Sequence, residues 1–430
     1  MYFLASGPGR RPYPEPIRCG DELNMSKQET LLMYVPSAQS EPHYEPYGWQ
    51  HWPEFPYMSY QFRRALGETQ EGGGAVSECF QAASRMQPGN KESWHAEWIK
   101  VGDRNRQRGD EAERAGHIRT AMNCWLRAAN YYRHAEFWLP PDDPRRLATF
   151  TLCEQMSHKF LARLEPPGEA IEVPYENGKT LYAYFVRSPC GGDKQPVLIS
   201  FGGLDSFKDE LWFMAGRGAV QRGMSILMLD GPGQGGTLRR HGLSTRYDYE
   251  VPIGYCVDYL ASRNDVDPSR IAVCGSSLGG FYAARAGCYE PRLAACISHG
   301  GNANVYENYL RRDEDHEMAY QIKWVYGAKS MLEVREKARA FQIGDGFARM
   351  KCPYLILHGG HDVLGVDRAR LAYDSAKAQG ANVTLRFVSA EETGADHCQH
   401  DNPTIGQEIM LDWLADMFGI DQSRLAQTIV

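Results

Sequence analysis

Six short apolar runs, most of them closed by glycine-rich residues, punctuate the chain between residues 196 and 391. They are PVLISFGG (Pro196–Gly203), MSILMLDGPGQG (Met224–Gly235), RIAVCG (Arg270–Gly275), AACISHG (Ala294–Gly300), YLILHGGHD (Tyr354–Asp362) and VTLRFVSAE (Val383–Glu391). Runs this short with so little polar interruption suit strands buried on both faces, and the segments between them are helical in pattern, as in VPIGYCVDYLASRN (Val251–Asn264). Such alternation predicts a mostly parallel, doubly wound α/β sheet with helices on both sides. Ahead of it, IEVPYENGKTLYAYFVRSP (Ile171–Pro189) reads as a hairpin turning at Asn177-Gly178.

The third run leads into GSSLG, Gly275 to Gly279, which fits G-x-S-x-G with Ser277 at its centre. A strand, a tight turn and a helix opening on small residues (GGFYAARAGCY) form the context in which this motif lifts one serine above a sheet edge. A serine hydroxyl is a weak nucleophile and needs a base, which in turn needs an orienting acid. In this α/β-hydrolase arrangement the order is serine, acid, histidine. Asp362 ends the fifth run, and EETGADHCQHDNP follows the last strand with His397 and His400. His397 is taken as the base, with His400 in reserve; His361 reads as a loop histidine and Asp367 as a weaker acid. The N–H of Leu278 and that of Gly203 or Leu204 are expected to form an oxyanion hole. Asp205, two residues past Gly203, reads either as a helix cap or as a carboxylate facing the substrate. The glycines of DGPGQGG (Asp230–Gly236) lack the spacing of a dinucleotide fingerprint and read as a structural loop.

Residues 1–55 are rich in proline, tyrosine and glycine and read as an extended arm. Residues 56–168 turn helical. Ser93–Leu139 has the three-to-four spacing of a helical hairpin with a junction near Gly116, and the proline-rich run from Pro140 separates it from a further helix. The expected organisation is therefore an arm, a helical substrate-covering domain, and a core over 169–430 with a helical lid insertion at about 301–350. A net charge of −7 speaks against nucleic acid and anionic membranes as partners, and no apolar stretch reaches the roughly eighteen residues of a membrane span. Eleven cysteines without C-x-x-C pairs disfavour a metal site; their odd number, with no convincing signal peptide, points to a reducing, cytoplasmic setting.

In order along the chain, SWHAEWIKVGDR, WLRAANYYRHAEFWL, SFGGLDSFKDE, LDGPGQG, the stretch from RYDYEVPIGY to CGSSLGG, LILHGGHD and GADHC resemble the FrsA-like α/β hydrolases with an N-terminal helical domain. That group includes 2,6-dihydroxypseudooxynicotine hydrolase and fungal pigment-pathway hydrolases that shorten aromatic polyketides. The resemblance implies hydrolysis of a carbon–carbon bond beside a ketone, with neither metal nor cofactor, an aromatic or polyketide-like substrate, and a homodimer. It implies Ser277 as nucleophile, Asp362 as acid, His397 as base and Asp205 in substrate handling. A substrate held between helical domain and core would bring Trp94, Tyr131 or Tyr132 against it, unless these residues fill the core instead. Gly236 is a departure, since relatives often carry an acidic residue there.

Overall fold

The computed structural model describes residues 50–425, so nearly all of the expected arm lies outside the described residues. Five helices come first: α1 (Pro56–Gly67), α2 (Val76–Ala83), α3 (Lys91–Arg114), α4 (Ile118–Glu136) and α5 (Pro144–Leu161). The caps read from sequence chemistry. The Asn90 side chain accepts from the Ser93 N–H at the start of α3, Gly116 takes a positive φ of 77° between α3 and α4, and Asp143 accepts from the Arg145 N–H ahead of Pro144. The core follows as β1 (Glu169–Pro174), β2 (Thr180–Val186), β3 (Gln195–Phe201), α6 (Arg217–Gln221), β4 (Ser225–Asp230), α7 (Gly235–His241), α8 (Glu250–Ala261), β5 (Val266–Ser276), α9 (Leu278–Tyr289) and β6 (Ala295–His299). Three short helices, α10 (Tyr306–Tyr309), α11 (Ala319–Tyr326) and α12 (Met331–Ala338), occupy the expected insertion. The chain closes with β7 (Tyr354–Gly359), α13 (Val366–Ala378), β8 (Val383–Val388) and α14 (Pro403–Met417).

The eight strands form one sheet in the order β1-β2-β4-β3-β5-β6-β7-β8. β1 and β2 pair antiparallel through a turn in which Asn177 (φ 57°) and Gly178 (φ 71°) both take the left-handed conformation that Asn-Gly tolerates best. β2 pairs antiparallel with β4, and β3 to β8 are parallel throughout. All seven residues of β3 are buried because the pleat feeds two cores at once. Val197, Ile199 and Phe201 join the layer under α8, α9 and α13, while Leu198 joins the layer under α6 and α14. Among the described residues no helix is long and apolar enough to cross a membrane, and the ten described cysteines are free thiols.

Buried ions tie the N-terminal helices to the sheet. Arg64 of α1, 1% exposed, donates to Glu210, to Ser206 Oγ at 3.1 Å and to Asp205 Oδ2 at 3.3 Å, with Glu68 3.5 Å from its Nε. Arg133 of α4 reaches the same Glu210 at 2.9 Å. Further along the interface, Glu136 of α4 accepts from Arg146 of α5 at 2.7 Å and from Arg239 of α7 at 2.9 Å. Lys208 Nζ meets Glu154 of α5 at 2.6 Å, Asp209 at 3.1 Å and Asp230 at 3.3 Å. Desolvation works against the Arg64 cation, but Glu210, Asp205 and Glu68 outweigh it and hold its pKa above the usual value.

Truncating one member of such a cluster leaves desolvated charges without partners. Arg64→Met is expected to lower the unfolding free energy by about 3–5 kcal/mol in urea titrations. Arg145 makes equally short bonds to Glu92 and Asp143 but at the surface, and Arg145→Met should leave the midpoint near wild type. Equal losses in the two variants would refute this ranking.

Candidate active site

The turn after β5 explains the glycines around Ser277. A Cβ on Gly275 would lie 1.9 Å from the Gly279 carbonyl oxygen, and one on Gly279 would lie 2.4 Å from the Gly202 carbonyl oxygen, so the elbow packs backbone to backbone against the loop after β3. Ser277 itself has φ 60° and ψ −120°, an unfavourable conformation for a residue with a Cβ, and its N–H is held by the His299 carbonyl at 2.8 Å.

The strand ends bring three side chains together. Ser277 Oγ lies 2.8 Å from His397 Nε2, and His397 Nδ1 lies 2.9 and 2.8 Å from the two Asp362 carboxylate oxygens. Asp362 also accepts from the Leu364 N–H at 2.8 Å. Burial disfavours the charged imidazolium of His397, but Asp362 outweighs burial, and the His397 pKa stands well above its ordinary value. Burial likewise raises the Asp362 carboxyl, and His397 overcomes it, leaving that pKa lowered. The Leu278, Gly203 and Leu204 N–H groups donate to no acceptor among the described residues, and a Cβ on Gly203 would stand 2.8 Å from Ser277 Cβ and 3.0 Å from the Leu278 nitrogen. Free N–H groups beside a reacting serine are what a developing oxyanion requires.

Support comes from beneath. The loop carrying His397 bends through two successive left-handed residues, Cys398 (φ 54°) and Gln399 (φ 50°). His299 Nε2 donates to Gln399 Oε1 at 2.6 Å, and Ser276 Oγ donates to His299 Nδ1 at 3.1 Å, so the residue before Ser277 and the loop of His397 share one imidazole. Burial pushes the His299 pKa down to about 4, which keeps that imidazole neutral. Asp401 accepts from the Gly394 N–H at 3.0 Å and the Asp396 N–H at 3.2 Å, and Arg63 of α1 pairs with Asp396 at 2.7 Å.

Ser277 and His397 open into a cavity of about 390 Å³, within the range of small-molecule sites. Leu204 and Asp205 line it, as does a face of α1 with Tyr57, Tyr60 and Arg64, and the insertion contributes Asn308, Tyr309 and Arg312. Asp205 caps no helix; it lines the cavity beside Arg64, from which its carboxylate accepts a hydrogen bond. Trp94, Tyr131 and Tyr132, read as substrate contacts or as core, do not line this cavity. All three are fully buried inside the helical layer, where Trp94 donates to the His134 carbonyl, Tyr131 to Glu78 and Tyr132 to Asp103. Aromatic residues at helical spacing packed on each other because the antiparallel pair α3 and α4 had its own core to fill. The contribution of α1 escaped the sequence reading, although Tyr57, Tyr60 and Arg64 fall at i, i+3 and i+7 on one helix face. His361 is exposed in the turn before Asp362, and Asp367 sits exposed in the first turn of α13. The GPGQG loop is structural: the Gln234 side chain spans from the Gly231 N–H to the Gly202 carbonyl, and a side chain at Gly236 would crowd the Tyr182 ring at 3.0 Å.

A family model described as esterase FrsA-like matches residues 86–319 of the chain. The 20-hydroxy-prefusarin hydrolase FUS2 of Gibberella moniliformis is 30% identical over 413 residues, covering 86% of this chain and 98% of that protein. Hydrolase LUC6 of a Fusarium species is 29% identical over the same length and coverage. The crystal structure of 2,6-dihydroxy-pseudo-oxynicotine hydrolase is similar with a TM-score of 0.70 at 28% identity, covering 85% of this chain and 98% of that one. The chain belongs to the FrsA-like esterase family and has the α/β-hydrolase fold.

Proposed function

We propose that this protein is a serine-dependent hydrolase that cleaves a carbon–carbon bond beside a ketone, in a β-diketone, aryl ketone or polyketide-like substrate of secondary metabolism. The observation that carries the reading is the unbroken Ser277–His397–Asp362 chain of hydrogen bonds at the floor of a cavity, with free N–H groups next to it. Relationship to 20-hydroxy-prefusarin hydrolase and to 2,6-dihydroxy-pseudo-oxynicotine hydrolase supports a small organic substrate, and the stacked Tyr57 and Tyr60 rings offer an aromatic wall. In this reading residues 56–168 and the insertion at 301–350 enclose the substrate over the core.

In the first step His397 Nε2 takes the Ser277 hydroxyl proton as Oγ bonds to the ketone carbon, whose π pair moves to oxygen. The Leu278 N–H and that of Gly203 or Leu204 hold this oxyanion. On collapse the C–C bond breaks, and its pair leaves with the departing carbon. A carbanion is a poor leaving group unless delocalised, so a second carbonyl or an electron-rich ring has to accept the pair as an enolate or its equivalent. The His397 imidazolium then protonates the departing carbon. Water, deprotonated by His397, attacks the acyl-serine; Ser277 recovers its proton, and the net products are a carboxylic acid and a shorter ketone. Asp362 keeps the imidazole in the required tautomer throughout.

The family's description as esterase-like favours a second reading, ester or thioester cleavage or acyl transfer by the same serine, because the elbow does not encode the scissile bond. Incubation with an aromatic β-diketone and a matched aryl ester, with mass spectrometry of the products, separates the two. The diketone should yield an acid and a shorter ketone, and Ser277→Ala should yield neither. Cleavage of the ester alone would replace the first reading with the second.

A base is active only when neutral, and the raised His397 pKa keeps the imidazolium present above the ordinary histidine value. Labelling of Ser277 by a fluorophosphonate should therefore be slow in acid and rise with pH through a midpoint above 6.5. Asp362→Asn should slow labelling by roughly a thousandfold or more and move the midpoint down, because the largest influence opposing burial is then gone. An unchanged midpoint in that variant would contradict the assigned role of Asp362.

A further inference from the structure

The second histidine of the DHCQH loop has a use that the triad does not exhaust. His400 is 6% exposed and lines the same cavity as Ser277 and His397. Neither of its ring nitrogens has a hydrogen-bond partner among the described residues. His299 is bonded at both nitrogens, His134 donates to Glu68 at 2.8 Å, and His95 meets the Ala135 carbonyl at 3.0 Å. An imidazole that lines the cavity with no protein partner leaves its N–H and its acceptor nitrogen to whatever occupies that cavity.

Its surroundings define its state. Tyr60 stands edge-on to the ring at 6.0 Å. Burial first, then Arg64, His397, His299 and Arg133, push its pKa well below the ordinary value. The ring is therefore a neutral imidazole, with one N–H donor and one acceptor nitrogen. It does not compete with His397 for the proton of Ser277. A neutral imidazole is nonetheless an effective electrophile toward a carbonyl oxygen on which charge develops.

We propose that the His400 N–H binds the second carbonyl oxygen of a 1,3-dicarbonyl substrate, the oxygen that becomes the enolate as the carbon–carbon bond breaks. This rests on the carbon–carbon reading above. The oxyanion hole serves the carbonyl that Ser277 attacks, and the departing fragment needs a donor of its own. The bonding pair of the breaking C–C bond passes to the enolate, its oxygen held by His400. The proton that quenches the carbon comes from His397, and no covalent bond forms or breaks at His400. Substrates with an acceptor oxygen β to the scissile carbonyl are thereby selected over simple ketones.

The test compares two substrates on the same enzyme preparation, 1-phenyl-1,3-butanedione and p-nitrophenyl acetate, so that a misfolded fraction cancels. In His400→Phe the ratio of kcat on the diketone to kcat on the ester should fall about a hundredfold, the size of effect seen when one donor to a developing oxyanion is removed. His400→Gln, which restores an N–H donor, should recover part of that ratio. A ratio that stays at the wild-type value in His400→Phe overturns the proposal. Should the wild-type enzyme cleave only the ester, the carbon–carbon reading fails, and the His400 site is then read by binding. Calorimetry of Ser277→Ala protein should find 1-phenyl-1,3-butanedione bound roughly tenfold more tightly than 1-phenyl-1-butanone, with the preference lost once His400→Phe is added. Equal binding of the two compounds overturns the assignment.

Discussion

A guanidinium stripped of water has to be answered by carboxylates, and Arg64 is answered by three. Glu68 follows it one turn later on the chain, while Asp205 and Glu210 come from the segment after β3. The first helix is thus bound to the loop that carries Gly203 and Leu204, and Arg133 brings α4 to the same Glu210. Removing one of these ions while the others stay buried would leave charges with neither water nor partners, at a cost of about 3–5 kcal/mol. The cavity wall depends on this junction. Tyr57 and Tyr60 precede Arg64 on the helix, and Asp205 has one side toward Arg64 and the other toward the cavity. Arg63, next in the chain, reaches across to Asp396 beside His397, so α1 grips both the loop after β3 and the loop of the proposed base.

Three imidazoles around Ser277 illustrate how placement, not residue type, sets chemistry. Burial lowers the proton affinity of all of them. His397 has the Asp362 carboxylate against its Nδ1 and ends above the ordinary value. His299 faces an amide and a hydroxyl, neither of which favours the cation enough, and settles at about 4. His400 has two guanidinium neighbours and falls well below the ordinary range. One carboxylate therefore separates the proposed proton shuttle from two imidazoles held neutral.

Much of this was legible in the chain. The apolar runs became strands of one mostly parallel sheet, Asn177-Gly178 became the hairpin turn, and Gly275 and Gly279 proved necessary because backbone atoms occupy the space a side chain would take. The order Ser277, Asp362, His397 was readable because each residue ends or follows a strand, and parallel strands deliver their C-terminal ends to one edge. What could not be read was which helix residues face the site. Trp94, Tyr131 and Tyr132 have the side chains of a binding wall and lie in a helix–helix core, whereas Tyr57 and Tyr60 look no different in sequence and line the cavity.

The sequence by itself determined the local and periodic features: strands from unbroken apolar runs, helices from three-to-four spacing, the elbow from its glycines, and the chain order of the serine, acid and histidine. These follow from short-range sterics and from the burial of a repeating face, both of which act within a few residues. Only the tertiary structure decided that Arg64 meets Asp205, 141 residues away, that Arg63 meets Asp396, and that His400 turns its ring into the cavity. Those contacts depend on which surfaces pack together. Charge pairing over such separations leaves no periodic trace, because a buried arginine and an exposed one are the same letter until the water around them is gone.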